Sequence, residues 1–388
     1  VPGRPRASGV FRVLVVGVVA VLGLGLFMPW PRPHADLSDG ARPLTCLTAA
    51  LGRYGDSRRG WTGGDSTWSA ELPGGRTVFA FSDTFLSPVM PPARPAGAAF
   101  VHNSLIVRGP GGEFSTIVGS TADRPDSLLR PADDAHWFWL GAATYLGGAL
   151  QIPLTEWRPS GPGALDIAFV GASVARFDAD DPSRPLSVTP LPRGRGIQWG
   201  QWVWPEDGWT YVYGVEIAEG HKYVHVARVE GADLRGRFAF WTGRNWSASE
   251  ADSARITSDV SAEFSVHRLA PGRYALITMQ DRLGDHLYAR FATAPTGPFG
   301  PDTTLYVTPE TGPSGTYHDP DVYTYNAHAH PEFSTPTTLV VSYNVNSLDT
   351  APGGDVYRDI TVYRPRFLTV PLPGDTPTPD IPTRPACP

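Results

Sequence analysis

Gly63-Gly64-Asp65-Ser66-Thr67-Trp68-Ser69-Ala70-Glu71-Leu72 runs into Pro73-Gly74-Gly75 and returns as Arg76-Thr77-Val78-Phe79-Ala80-Phe81-Ser82-Asp83-Thr84. Strand-forming residues on both sides of a Pro-Gly-Gly break predict a β-hairpin. With Pro73, Gly74 and Gly75 as the loop, Leu72 faces Arg76 and Asp65 falls opposite Asp83. Similar approaches into an aromatic or β-branched strand begin near His136-Trp137-Phe138-Trp139, Gln198-Trp199-Gly200-Gln201-Trp202, Ser261-Ala262-Glu263-Phe264-Ser265 and Asn326-Ala327-His328-Ala329-His330. With the first hairpin this makes five blocks of about 60 to 75 residues, a length that suits a four-stranded blade with generous loops. The expected fold is all-β, a five-bladed β-propeller over residues 45–370, with helix nearly absent from it.

Composition supports that class. Among 388 residues there are 40 Pro, 42 Gly, 12 Trp, 14 Tyr and 17 Phe but only 3 Met, the balance of short strands and tight turns. The net charge of −6 argues against nucleic acid as a partner. Lys222 is the sole lysine, a skew that suggests a GC-rich genome such as an actinobacterium's.

Arg4, Arg6 and Arg12 precede an uncharged apolar run, Val13 to Met28. That order predicts an export signal or signal anchor over residues 1–28, so the domain is expected outside the cell or tethered to the outer face of the membrane. Residues 29–44 read as a linker, and residues 371–388 as a Pro-rich tail. Cys46 and Cys387 flank the predicted ring, and an oxidising exterior favours a disulfide between them that would hold its ends together.

Opposed carboxylates in a hairpin repel, since directly paired side chains stand about 4.5–5.5 Å apart at Cβ. Glycoside hydrolysis has a use for such a pair: one carboxyl donates a proton to the leaving oxygen and the other activates water or attacks. Proximity and burial would raise one pKa and leave the other group ionised. Asp65 and Asp83 are therefore the candidate acid/base pair, whereas a one-residue register slip would put them on opposite faces. Taken singly, each could instead cap a turn or end a strand.

The Gly-Asp-x-Thr-x-Ser approach and the Phe-Ser-Asp-Thr-Phe return, with aspartates at 65 and 83, resemble glycoside hydrolase family 183, the propeller endo-D-arabinanases. They are also similar to a wider set of uncharacterised actinobacterial secreted proteins. The resemblance implies a catalytic role for Asp65 and Asp83 and a D-arabinan substrate. It is specific over residues 63–85, while Val212-Tyr213-Gly214-Val215-Glu216, His330-Pro331-Glu332, Ser342-Tyr343-Asn344-Val345-Asn346 and Tyr363-Arg364-Pro365-Arg366-Phe367 resemble only the wider set. Ser66 and Trp68 depart from the Gly and Tyr expected there.

Polar residues at strand ends could line a sugar-binding funnel: His102, Asn103, Glu216, Glu263, His330 and Asn344. Glu216 and Glu263 are the alternative general acids. Trp199, Trp202 and Trp204 are read mainly as core. His318, His328 and His330 sit near Asp319, Asp321 and Glu332, but no spacing matches a zinc motif, so no metal or other cofactor is expected. Two functions fit the residues. One is an exported glycosidase acting alone on an arabinofuranose-containing polysaccharide; the other is a non-catalytic surface propeller that binds glycan or protein, and the paired aspartates favour the first.

Overall fold

A computed structural model describes residues 35–36 and 40–371, apart from 121–123, 164–165, 282 and 336. Continuous apolar runs become strands covered on both faces: Arg76–Phe81 is buried at every position after the first. Where one face meets solvent the pattern alternates, as along Pro185–Pro190.

The strands form five successive antiparallel sheets with small accessory ones. Sheet I comprises Trp68–Leu72, Arg76–Phe81, Ser104–Arg108 and Phe114–Ile117. Sheet II runs through Trp137–Leu140, Ala149–Pro159, Ile167–Phe177 and Pro185–Pro190. Sheet III is built on Gln198–Glu206, Trp209–Ala218 and His221–Glu230, and sheet IV on Ser265–Ala270, Arg273–Met279, His286–Ala292 and Thr303–Val307. Sheet V contains Val322–Ala329, Thr338–Ser347 and Pro365–Pro371, and its outer edge is Arg42–Pro43, contributed by chain that precedes sheet I. Ala35–Asp36 pairs in parallel with the edge of sheet IV, so two short strands fall within residues 29–44, read above as a linker.

Neighbouring sheets are fastened by hydrogen bonds near their first strands. Trp68 Nε1 donates to the Leu140 carbonyl (2.9 Å), Ala142 N to the Gly200 carbonyl (3.0 Å) and Trp202 Nε1 to the Val266 carbonyl (2.7 Å). Ala329 N donates to Ser265 Oγ (2.9 Å), and His328 Nε2 returns to the Thr67 carbonyl (3.3 Å). These contacts link I to II, III, IV, V and back to I. Trp68 is fully buried at this junction and stacks on His328, ring centroids 3.9 Å apart. Trp68→Ala is expected to cost about 3–5 kcal/mol, read as a lower denaturant midpoint, because it opens a cavity and orphans the Leu140 carbonyl.

One expectation is corrected. Thr45–Asp56 is a 12-residue helix, although helix was expected to be nearly absent from residues 45–370. Leu47, Leu51 and Tyr54 recur at helical spacing and are buried. Arg364 seats the helix end, bonding Asp56 Oδ1 (2.9 Å) and the Gly52 carbonyl (3.3 Å). The apolar run from Val13 to Met28, residues 372–388 and Cys387 lie outside the described residues; Cys46 lies on this helix. Among the described residues no helix is long and apolar enough to cross a membrane.

Candidate active site

The hairpin has the register read from the sequence. Leu72 pairs with Arg76, Trp68 with Ala80, and Gly64 with Thr84. Between the last two, Asp65 N donates to the Asp83 carbonyl (3.1 Å) and Ser82 N to the Asp65 carbonyl (3.2 Å). The ladder breaks at Ser66 and Thr67, whose φ angles of 65° and 68° are left-handed, a costly conformation for a β-branched threonine. Surrounding bonds hold it. Asn344 Nδ2 donates to Thr67 Oγ1 (2.9 Å), His328 binds the Thr67 carbonyl, and Ser66 Oγ donates to Glu263 Oε1 (2.6 Å).

Asp65 is enclosed by sheet V and the turn that precedes its third strand. Its Oδ2 accepts the hydroxyls of Tyr325 (2.8 Å) and Tyr363 (3.2 Å), while Oδ1 is buried without a partner. A Cβ on Gly63 would lie 2.2 Å from the Tyr363 carbonyl oxygen, so glycine there lets that turn close on the hairpin. Burial, then the Asp83 charge, pushes the Asp65 pKa up to about 8 against the smaller opposing effect of the tyrosine bonds. Asp65 is thus a carboxylic acid at neutral pH. Burial, then the Asp65 charge, also raises both phenols well above their ordinary value, so they remain donors.

Asp83 has a different setting. Its Oδ1 accepts His102 Nδ1 (2.8 Å) and Trp139 Nε1 (2.9 Å). The His102 ring stacks on Trp137 with centroids 5.0 Å apart, and both border a cleft of about 420 Å³ between sheets I and II. The two aspartates therefore differ in setting: one is enclosed among hydroxyl donors, the other accepts two N–H groups, one of them from the histidine that borders the cleft.

Glu263 lies behind the pair. Its Oε1 accepts Ser66 Oγ and Asn326 Nδ2 (2.8 Å), while Oε2 has no bonding partner and stands 3.6 Å from the similarly unpartnered Nδ1 of His328. Burial raises its pKa well above the ordinary glutamate value, opposed by the Ser66 bond and reinforced by the Asp65 charge. Burial also holds His328 neutral, at a pKa of about 3. Glu263 is thus a second buried carboxyl, supporting the kink that carries Asp65.

The other predicted sugar contacts take different places. Asn103 is fully buried, its Nδ2 donating to the Leu129 (2.9 Å) and Phe138 (3.0 Å) carbonyls and its Oδ1 accepting Leu129 N (2.7 Å). His330 is buried between Ser69 Oγ and Ser342 Oγ, and Asn344 is spent on the Thr67 kink. Glu216 is held by Arg255 (2.7 Å), His225 (3.1 Å) and Arg195 (3.3 Å). Those bonds outweigh its desolvation and bring its pKa down to about 2, so it is no general acid at neutral pH. Glu216→Gln is expected to leave turnover within about twofold of the parent and to cost about 1–2 kcal/mol of stability, checked by paired kinetics and urea melts.

His318 is exposed while His328 and His330 are buried, so the three histidines do not form one ligand set. Asp319, Asp321 and Asp355 approach within 4.8 Å of one another, but Asp355 already binds Ser347 Oγ and Arg358. Sequence reasoning missed Tyr325, Tyr363 and Trp139 as site residues. Each sits in or beside a segment quoted above, but an aromatic within a strand or a tight turn carries no mark of the carboxylate it will meet.

Solved structures similar to this chain include a protein from Bacteroides ovatus ATCC 8483 that carries a provisional hydrolase designation. It is 21% identical, with 85% of this chain and 90% of that one covered at a TM-score of 0.70, and the likeness is one of fold. A protein of unknown function from Dyadobacter fermentans DSM 18053 is 11% identical, covering 81% and 96% at 0.47. An α-L-arabinofuranosidase from Podospora anserina, solved with cellotriose, is 12% identical, covering 82% and 92% at 0.42. No curated protein matches the sequence. The family model described as a domain of unknown function (DUF5005) matches residues 49–372, most of the chain, and the protein belongs to that family.

Proposed function

We propose that this protein is an exported glycoside hydrolase that cleaves an arabinofuranose-containing polysaccharide such as D-arabinan. The observation that carries the reading is the divided aspartate pair. Asp65 keeps a proton at neutral pH, and Asp83 is held by Trp139 and by His102, which borders a cleft. In this mechanism Asp65 protonates the departing glycosidic oxygen as the C–O bond breaks. Asp83 accepts a proton from the attacking water or attacks the anomeric carbon itself. Tyr325 and Tyr363 then stabilise the carboxylate left on Asp65.

The five sheets are read as the blades of a propeller, with Arg42–Pro43 fastening its ends. The Val13–Met28 run supports export, and D-arabinan follows from the motif around Asp65 and Asp83. Incubating the full chain with D-arabinan and with L-arabinan, then sizing the fragments, tests the proposal. Arabino-oligosaccharides from D-arabinan are the expected result. Binding without fragments from either polymer would instead identify a non-catalytic glycan-binding protein.

A further inference from the structure

A second cavity, of about 730 Å³, opens at the opposite ends of the inner strands. Asp65 precedes Trp68–Leu72, whereas the cavity reaches that strand's far end and the Pro73–Gly75 turn. At strand rise Asp65 lies about 20 Å along the chain from Leu72 and about 13 Å from Ser69, the lining residue nearest it in sequence. Sheets II, III and IV supply Tyr145, Trp204, Glu206 and Arg268, and Glu332 follows the inner strand of sheet V. None of these residues contributes to the bonds around Asp65 and Asp83.

Two buried polar atoms on the cavity's lining residues have no partner: Trp204 Nε1, a donor, and Glu206 Oε2, an acceptor. The other Glu206 oxygen accepts Tyr274 (2.8 Å) and Arg268 (2.9 Å), which fixes the carboxylate. Both atoms are shielded from solvent, so the contacts offered to a ligand come from the open parts of the lining. Trp204 and Tyr145, the latter 39% exposed, add aromatic surface for the C–H face of a ring. Glu71, Glu206 and Glu332 outnumber Arg268, an acidic balance that disfavours uronates and sulfated sugars. The volume falls within the range of small-molecule sites.

We propose that this cavity is a second carbohydrate site, taking a short neutral oligosaccharide apart from the place of cleavage. The inference rests on the reading of the chain as one that acts on carbohydrate. It is tested by calorimetry on the full chain carrying Asp83→Asn, titrated with neutral arabino-, xylo- and galacto-oligosaccharides. Binding weakened about tenfold or more by Trp204→Ala is expected, with a smaller loss from Tyr145→Ala, whose exposed side chain can be removed without opening the core. Melting curves of both variants separate lost contacts from lost fold. Absence of binding across the panel, or binding unchanged by both substitutions in folded protein, would overturn the proposal. Failure of the glycosidase reading shows separately, as no fragments from the unsubstituted chain.

Discussion

Asp83→Asn is expected to lower polysaccharide cleavage by about 10³-fold or more while leaving the protein folded. The amide retains an oxygen to accept from His102 and Trp139 but cannot take a proton from water or form the glycosyl bond. Asp65→Asn should have a comparable effect for the complementary reason. Its amide still accepts the Tyr325 and Tyr363 hydroxyls but is far too weak an acid to protonate the leaving group. Neither substitution opens a cavity and each amide keeps the acceptor oxygen, so melting temperatures should stay close to the parent's. Reducing-end release and thermal melts on the same preparations check both halves. A turn-capping role predicts the reverse, with stability lost and cleavage kept.

The second large effect is on stability as a function of pH. Asp65 titrates near 8 in the folded chain, against about 3.9 when unfolded. Between those values the folded state holds a proton that the unfolded state has released, so stability falls as pH rises. The contribution is fully present below about pH 4 and is lost as pH passes through 8, at up to about 1.4 kcal/mol per pH unit within the window. Glu332, raised to about 7 by burial against its bond to Ser69, acts in the same direction. Between pH 5 and pH 8 stability, read from urea midpoints, should therefore fall more steeply, or rise less, in the parent than in Asp65→Asn, which keeps the contributions of Glu332 and Glu263 and the opposing one of the buried, neutral His267 and His328. Equal slopes in the two proteins would place the Asp65 pKa in the ordinary carboxyl range.

Much of this architecture was legible because its signals are local. Pro73-Gly74-Gly75 determines a turn, the turn determines a register, and the register places Asp65 beside Asp83. The first strands of the five sheets could be located from their aromatic and β-branched runs, whether buried continuously, as at the start of Gln198–Glu206, or alternately, as in Trp68–Leu72 and Trp137–Leu140. What could not be read is set by pairings across hundreds of residues. Tyr325 and Tyr363 reach Asp65 from sheet V and the turn before its last strand, and Glu263 reaches Ser66 from before sheet IV. Asn103 and Glu216 were polar at strand ends, as sugar ligands are, but their partners, Leu129, Phe138, Arg195 and Arg255, lie in loops or adjoining strands whose positions only the fold determines. The Thr45–Asp56 helix did carry a readable signal, since Leu47, Leu51 and Tyr54 share one helical face.

The division of labour between the aspartates is tested most directly by the pH dependence of kcat/KM on D-arabinan, which reports the ionisations of the free enzyme. If Asp65 is the acid, activity should persist through neutral pH and fall along an alkaline limb with an apparent midpoint near 8. Loss of activity already above about pH 5, the ordinary range of an exposed carboxyl, would contradict a protonated Asp65 and with it the assignment of acid and base.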